Sequence, residues 1–548
     1  MTASAHLDTF AEDNLPPRDQ WPEFRFTLPE LRYPERLNCV AVLLDRWIAD
    51  GKGDRTCLIS PTETLSYAAL QERVNRIANV LTRDFGMVPG NRVLLRGPNS
   101  PMMAAAWFAV IKAGGVAVAT MPLLRAKEIA YPAAKAKIAL ALCDARFSEE
   151  MEKAQTLCPE LKHVAYWSGA ENGELEGLMC KPGYEAFTAC DTAAEDVCLI
   201  AFTSGTTGEP KGTMHFHRDM LATCDSYGRH VLRADPSDRF IGSPPLAFTF
   251  GLGGHLLFPM HIGASSILIE RATPDEFLSA IEKFRATITF TAPTAYRAIL
   301  PKITSRNISS LRKCVSAGEA LPRATFDAWL MATGIHILDG IGSTEMLHIF
   351  IGSPESEARP GATGRAVPGY EARVVDDEGN EVPAGTVGRL AVRGPTGCRY
   401  LADARQRKYV EHGWNLTGDT YFMDSDGYFW YQARSDDMII SSGYNIAGPE
   451  VESALLAHEA VAECGVVGAP DEDRGMIVKA YIVLRAGHSG DATLTKILQE
   501  YVRATVAPYK YPRAIEYVEA LPKTQTGKLQ RFELRRMAAA SAGQKMAS

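Results

Sequence analysis

What the chain lacks narrows its function first. Its eleven cysteines are scattered from Cys39 to Cys464, with no C-x-x-C pair and no zinc spacing. The odd count argues against a full disulfide framework, and reduced thiols in a cytoplasm are expected. Basic excess is missing too. A net charge of −7 leaves no footing for an electrostatic nucleic-acid binder. The N-terminus has no basic region followed by an apolar core, so no signal peptide is expected. No long apolar run is uninterrupted. The most apolar window, Pro101 to Pro122, is broken by Lys112, Gly114 and Gly115, which suits helix–turn–strand rather than a membrane span. A Walker loop is absent as well: where Gly-Lys-Ser/Thr would be needed, Pro210 precedes Lys211 and Gly212 follows it.

What is present is a 548-residue chain, 46% hydrophobic and 22% charged. That is a soluble globular composition, too long for one core. Ser66 can cap a helix with Leu70, Val74, Ile77 and Leu81 on one face. Arg92–Arg96, Val116–Thr120 and Ile138–Cys143 read as strands, with a helix started by Asn99-Ser100-Pro101. This β–α–β rhythm predicts parallel sheets covered by helices. Pro244 to Gly254 reads as a turn and loop. Beyond about Gly361, short strands alternate with turns, as in a small β-rich subdomain over about 361–432. A break at Arg434–Met438 precedes a C-terminal stretch with strands and amphipathic helices of its own. The fold class expected is α/β, an α+β multidomain chain. Residues 1–435 would form a large domain of parallel-rich sheets, and 436–548 a small C-terminal α+β domain.

The stretch Thr203-Ser-Gly-Thr-Thr-Gly-Glu-Pro-Lys-Gly212 has nothing to pack in a core. Its glycines allow backbone N–H groups to approach an anion as a nest, hydroxyls add donors, and Lys211 adds charge. Gly340-Ile-Gly-Ser-Thr-Glu345 follows an apolar strand, where open α/β sheets place ligands. Ser343 and Thr344 could donate to phosphates, and Glu345 could hold Mg²⁺. Ala317-Gly318-Glu319 ends another strand and could frame a flat base. Asn415-Leu-Thr-Gly-Asp419 puts a carboxylate after a tight turn, suited to a ribose diol, with Arg434 following. Leu521-Pro-Lys-Thr-Gln-Thr-Gly-Lys528 carries lysines on a polar loop, the kind of cation that can stabilise an anionic transition state. Each string alone also fits an ordinary polar turn; their company is what counts.

In that order the strings resemble the acyl-adenylate-forming (ANL) superfamily of acyl-CoA synthetases, adenylation domains and luciferases. The resemblance runs from about residue 40 to 535. Ser316-Ala-Gly-Glu-Ala-Leu321 and Asp339–Phe350 look most like the benzoate–CoA ligase branch, including 2-aminobenzoate–CoA ligases. The resemblance implies two half-reactions. A carboxylate attacks the α-phosphate of Mg-ATP to give an acyl-adenylate, and then the thiol of coenzyme A takes the acyl group. It implies Lys528 between carboxylate and α-phosphate. Thr203, Ser204, Gly205, Thr206, Thr207 and Lys211 would hold the β- and γ-phosphates, with Thr344 beside them. Glu345 and Thr203 would serve Mg²⁺. Gly318, Glu319 and Asp339 would frame adenine, Asp419 and Arg434 would bind the ribose, and Gly340 and Gly342 would also be cofactor-binding. Asp436 would be the hinge of a mobile C-terminal domain, and Gly443 its glycine loop. Tyr509 and Arg513 would meet the CoA nucleotide. Phe248, Thr249, Phe250, His348 and Ile349 would line the acid pocket, whose aromatic walls suit a flat aryl acid. Thr249 and Phe250 depart from the Ala and Tyr usual in benzoate-specific relatives, and Thr249 could accept an ortho-amino hydrogen, favouring 2-aminobenzoate. The expected partners are a small aromatic carboxylic acid, ATP and CoA, with no nucleic acid or membrane; a homodimer is compatible with this. Rival readings are a ligase that loads a carrier protein, a non-catalytic AMP or acyl-adenylate sensor, and a luciferase-like oxygenase.

Overall fold

The computed structural model describes residues 3–167, 173–203, 210–434, 437–441, 444–471, 474–506, 508–524 and 527–546. Two large sheets organise the N-terminal part. One has six strands in the order His163–Trp167, Leu140–Asp144, Arg92–Arg96, Val116–Thr120, Val197–Thr203, Lys211–Phe216. The first five run parallel, and the sixth returns antiparallel along Val197–Thr203. All five residues of Arg92–Arg96 are buried, as parallel strands covered on both faces require. The second sheet has nine strands, and its six central members are parallel: Ile337–Gly342, Lys313–Ser316, Ile288–Thr291, Arg239–Gly242, Ser265–Ile267, Thr56–Ile59. Antiparallel strands close both of its edges.

The local signals behave as read. The Ser66 hydroxyl accepts the Ala69 N–H at 3.1 Å and starts the helix Tyr67–Asn79. Ser100 does the same for Pro101–Lys112, accepting from Met103 at 3.2 Å. Lys112, which breaks the apolar run, is buried and donates to Asp45 and Asn75, both at 2.7 Å. One segment differs. Pro244–Gly254 is not all loop: helical backbone begins at Thr249 and continues through a π-helical stretch, Gly253–Leu257, into Phe258–Ile262. Glycine misleads there because it serves packing. A Cβ at Gly251 would lie 2.1 Å from the Pro245 carbonyl oxygen.

A five-stranded antiparallel sheet follows, from Glu371–Val375 to Phe429–Arg434. The C-terminal part is a three-stranded sheet, Val461–Asp471, Gly475–Leu484 and Ala514–Tyr517, joined by the helices Gly448–Leu456, Ala492–Thr505 and Arg531–Met546. It has its own core, in which Val451, Leu455, Val466, Ile482, Leu498 and Val502 meet. The chain is thus α/β, with a large N-terminal and a small C-terminal part. The expected boundary at 435–436 falls outside the described residues. Among the described residues, no helix is long and apolar enough to cross a membrane.

The segment Cys398–Leu401 is held to the strand Lys211–Phe216 in two ways. Backbone bonds run from Met214 N–H to Arg399 O and from Leu401 N–H to Gly212 O, both 2.8 Å. The Arg399 guanidinium pairs with Asp219, both side chains fully buried, and lies 3.9 Å from the Phe216 ring centroid. Burial raises the Asp219 pKa, but Arg399 and then His215 outweigh it and hold the carboxyl below its usual range. Removing one partner of a buried pair strands the other charge. Asp219→Ala should therefore cost about 3–5 kcal/mol, seen as a lower denaturation midpoint at neutral pH. The stabilisation is present above the unfolded pKa, about 3.9, and is lost as pH falls through the lower folded value. The gap between parent and variant should accordingly close in acid.

Candidate active site

The strand Val197–Thr203 and its partner Lys211–Phe216 point both ends of the glycine-rich loop at one place. Thr203 and Lys211 are cross-strand neighbours. The Thr203 hydroxyl oxygen is buried and without a hydrogen-bond partner. Ser204, Gly205, Thr206 and Thr207 lie outside the described residues.

Lys211 does not stand alone. Its ammonium donates to the Tyr400 hydroxyl at 2.7 Å and lies 3.6 Å from Glu345 Oε1. The Tyr400 hydroxyl in turn donates to Glu345 Oε1. Lys211 also sits over the rings of Tyr400 and Tyr409, 4.6 and 5.7 Å from their centroids. His215 Nε2 donates to the Thr344 carbonyl at 2.8 Å, tying the loop after Ile337–Gly342 to the same strand. The loop lysine and the Thr344–Glu345 turn, 134 positions apart in sequence (345 − 211), are therefore brought together. Tyr400 is the residue that sequence reasoning missed. It belongs to no motif, and its place follows from the Thr213–Tyr400 bridge, a pairing that no local pattern announces.

A second group forms around Lys528. The strands Trp414–Met423 and Phe429–Arg434 pair with Asp419 opposite Arg434. Their ion pair is 3.1 Å long, and Arg434 also donates to the Thr417 carbonyl at 3.1 Å. Burial raises the Asp419 pKa, opposed by Arg434 and Thr417. Lys528 reaches this pair from the C-terminal part: its Cε lies 3.7 Å from where a Cβ on Gly318 would be. The loop that carries it is closed by Thr524 N–H donating to the Lys528 carbonyl at 2.7 Å. The residue remains accessible to solvent, yet the cleft walls crowd its ammonium and lower its pKa. Glu319 opposes that lowering, Arg434 adds to it and Asp419 opposes it. Glu319 itself accepts from the Thr294 hydroxyl at 2.6 Å.

Asp339 lies on the strand Ile337–Gly342. Its Oδ1 is buried without a partner, and burial raises its pKa well above the carboxylate range, against the pull of the Gly340 N–H. Gly340 and Gly342 have a packing reason as well as any ligand role. Side chains there would meet Ile349 and the His348 carbonyl at 2.7 Å.

The residues read as an acid pocket form a cluster of rings. His348 is buried, with neither ring nitrogen hydrogen-bonded, and burial pushes its pKa down to about 3. Its ring centroid is 4.6 Å from that of Phe258, 5.5 Å from Tyr227, 5.6 Å from Phe250 and 6.3 Å from Phe290. Phe248 precedes the helix that begins at Thr249, and Thr249 and Ile349 are buried. Tyr227, Phe258 and Phe290 are additions to the sequence reading. Tyr509 and Arg513 are placed elsewhere, on the segment leading into Ala514–Tyr517, where Arg513 Nη1 donates to the Tyr509 carbonyl at 3.2 Å. Asp436 and Gly443 lie outside the described residues.

The fold and these groupings suit an enzyme that handles a nucleotide across two chain regions. Known proteins agree. The family described as AMP-binding enzyme matches residues 45–400, and its C-terminal domain matches 450–528. A benzoate–CoA ligase of Thauera aromatica is 37% identical over 93% of this chain and 98% of its own length. A 4-hydroxybenzoate–CoA/benzoate–CoA ligase of Rhodopseudomonas palustris is 33% identical, over 91% and 94%. Among solved structures, the anthranilate CoA ligase AuaEII in complex with anthranoyl-AMP superposes with a TM-score of 0.90 at 36% identity, covering 94% of this chain and all of that one. A benzoate CoA ligase from Burkholderia xenovorans superposes at 0.82 and 31% identity, covering 91% and all. The chain belongs to the AMP-binding enzyme family, as an acid–thiol ligase.

Tyr400 is the test of the first group. Tyr400→Phe keeps the ring but removes the hydroxyl that links Lys211 to Glu345. A hydrogen bond to a charged group is worth about 1.5–3 kcal/mol. ATP-dependent pyrophosphate release should fall at least tenfold in kcat/KM for ATP; an unchanged value would mean the link is dispensable.

Proposed function

We propose that this chain is an ATP-dependent aryl-carboxylate–CoA ligase acting on 2-aminobenzoate or benzoate, through an aryl-adenylate and then an aryl-CoA thioester. The observation that carries the choice of acid is the ring cluster around His348. Its walls are aromatic, and its imidazole, His348, is held neutral by burial. It offers no charge to grip an α-amino acid and a flat surface for an aryl ring. The relatives named above, which act on benzoate or anthranilate by their names, support the same class. Between the two benzoates, Thr249 favours 2-aminobenzoate, since its hydroxyl can accept an ortho-amino hydrogen.

In adenylation two anions must meet. Lys528 offsets charge between the carboxylate and the α-phosphate, where preorganised donors count most. Asp419 and Arg434 take the ribose, and Glu319, Gly318 and Asp339 the adenine. Lys211 and the glycine-rich loop hold the leaving pyrophosphate end. Mg²⁺ fits Glu345 and Thr203. Both offer oxygen, as the ion prefers, and the Thr203 hydroxyl is an orphaned buried group; when bound, the ion offsets phosphate charge. Residues 436–548 act as a unit that turns about Asp436 for the thiol step, presenting Gly443 and leaving Tyr509 and Arg513 to the CoA nucleotide. The protein works in the cytoplasm.

Lys528→Ala should lose roughly 10²–10³ in the rate of pyrophosphate release, while thioester formation from supplied aryl-adenylate falls far less. Adenylation at the parent rate would remove Lys528 from its role. A substrate panel tests the acid, with free CoA set against carrier protein as acceptor. Benzoates should lead in kcat/KM, and a preference for short fatty acids would overturn the aryl assignment.

A further inference from the structure

A cavity of about 540 Å³ opens beside the ring cluster. It lies between the N-terminal stretch around Tyr33–Arg46, the helical segment 221–234 and the helix Phe258–Ile262. Its charged lining is only partly paired: Arg46 donates to the His261 carbonyl while its Nε has no partner among the described residues, and Arg233 Nε donates to the His230 carbonyl at 2.8 Å. Asp225 accepts from Tyr33 at 2.9 Å and Arg229 at 3.2 Å, with His261 at 3.5 Å. The rest of the lining is largely apolar, with Leu37, Val42, Leu221, Leu232 and Ile262. Phe258 belongs to both places. It lines this cavity, and it packs edge-to-face on His348 at 4.6 Å and against Tyr227 at 5.6 Å. The partition between the ring cluster and the cavity is thus about one aromatic ring thick.

The backbone on both sides of that ring is unusual. Cys224–Leu232, which carries Tyr227 and Gly228, is π-helical, and so is Gly253–Leu257, which ends just before Phe258. Such turns are rare and concentrate at functional sites. Gly228 also lines the cavity, and a Cβ there would stand 3.3 Å from the Phe258 ring.

We propose that Phe258 is the partition that fixes the length of acid the enzyme accepts, and that the cavity behind it is a latent subsite for the apolar far end of longer carboxylic acids. This rests on the aryl-acid reading of the ring cluster. The part of the cavity lined by Leu37, Val42, Leu221, Leu232 and Ile262 suits an uncharged alkyl or aryl extension, since those walls gain from apolar contact.

The test compares the parent with Phe258→Ala, Phe258→Leu and the double variant Phe258→Ala/Gly228→Leu. Substrates are benzoate, 2-aminobenzoate, 4-butylbenzoate, 4-phenylbenzoate and octanoate, and acyl-CoA formation is followed. The parent should favour the two short acids. Phe258→Ala should raise kcat/KM for the extended acids by roughly 10- to 200-fold, the range set by pocket contacts of methylene size. Phe258→Leu should give a smaller rise in the same direction, and it carries the test alone should the alanine variant not fold. Leucine at 228 refills the space and should abolish the gain. A folded Phe258→Ala enzyme active on benzoate with no gain on extended acids overturns the proposal. So does a parent that already takes them as well as benzoate. A parent inert on both short aromatic acids defeats the aryl reading instead, and a gain on octanoate would still uphold the partition.

Discussion

One backbone pairing governs the Lys211–Glu345 end of this site: the return of residues 399–401 along the strand Lys211–Phe216. It places Tyr400 beside Lys211 and lets its hydroxyl span from that lysine to Glu345. The pairing is fastened by a fully buried ion pair, Arg399 with Asp219. Two charges without water are costly unless both are satisfied. Here Arg399 has further support from the Met214 carbonyl at 3.2 Å and the Phe216 ring, and Asp219 accepts the Phe216 N–H at 3.0 Å, although Arg399 Nη1 and Asp219 Oδ1 have no partner among the described residues. A misplaced segment would leave both charges stranded, so the pair specifies register as well as holding it. The lysine, tyrosine and glutamate are aligned because their backbones have few alternatives.

Much of this was legible in the chain, for local physical reasons. Serine caps, buried parallel strands and glycine turns at strand ends are written in a few adjacent residues. So were the two charged groups, whose members sit in short polar strings. Tyr400 was not legible, because its partners at Lys211 and Glu345 are set by a bridge to a strand far away in sequence. The helical start at Thr249 was masked by glycines that read as flexibility and turned out to be points of close approach, Gly251 against the Pro245 carbonyl among them. Gly340 and Gly342 carry a related ambiguity. The Ile349 side chain crowds Gly340 and the His348 carbonyl crowds Gly342, so each has a packing reason beside any ligand role.

Lys528 illustrates a different limit. Its string marks a polar loop, but whether that loop lies against Gly318 and the Asp419–Arg434 pair is a matter of how the two parts of the chain dock. In this structure the loop is docked. Lys528 stands beside Gly318 and near enough to Glu319, Asp419 and Arg434 for all three to act on its pKa. Arg434 and Lys528 repel, Asp419 attracts both, and Glu319 attracts Lys528. The arrangement is a small, nearly balanced set of charges, and an incoming anion would tip it by pairing with the cations.

The ring cluster follows the opposite rule. There the protein has removed charge rather than gathered it. His348 is kept neutral by burial, burial also raises the pKa of Tyr227 with Asp339 adding to it, and Asp339 is itself pushed toward its protonated form by burial. An acid entering such surroundings keeps its carboxylate at the cationic side and its body among the rings, because burying a charge among them without a partner is costly. Polarity thus orients the acid before any specific contact does, and size decides what remains. The wall that limits size on the far side is Phe258, and beyond it lies the open cavity between residues 33–46 and the helix Phe258–Ile262.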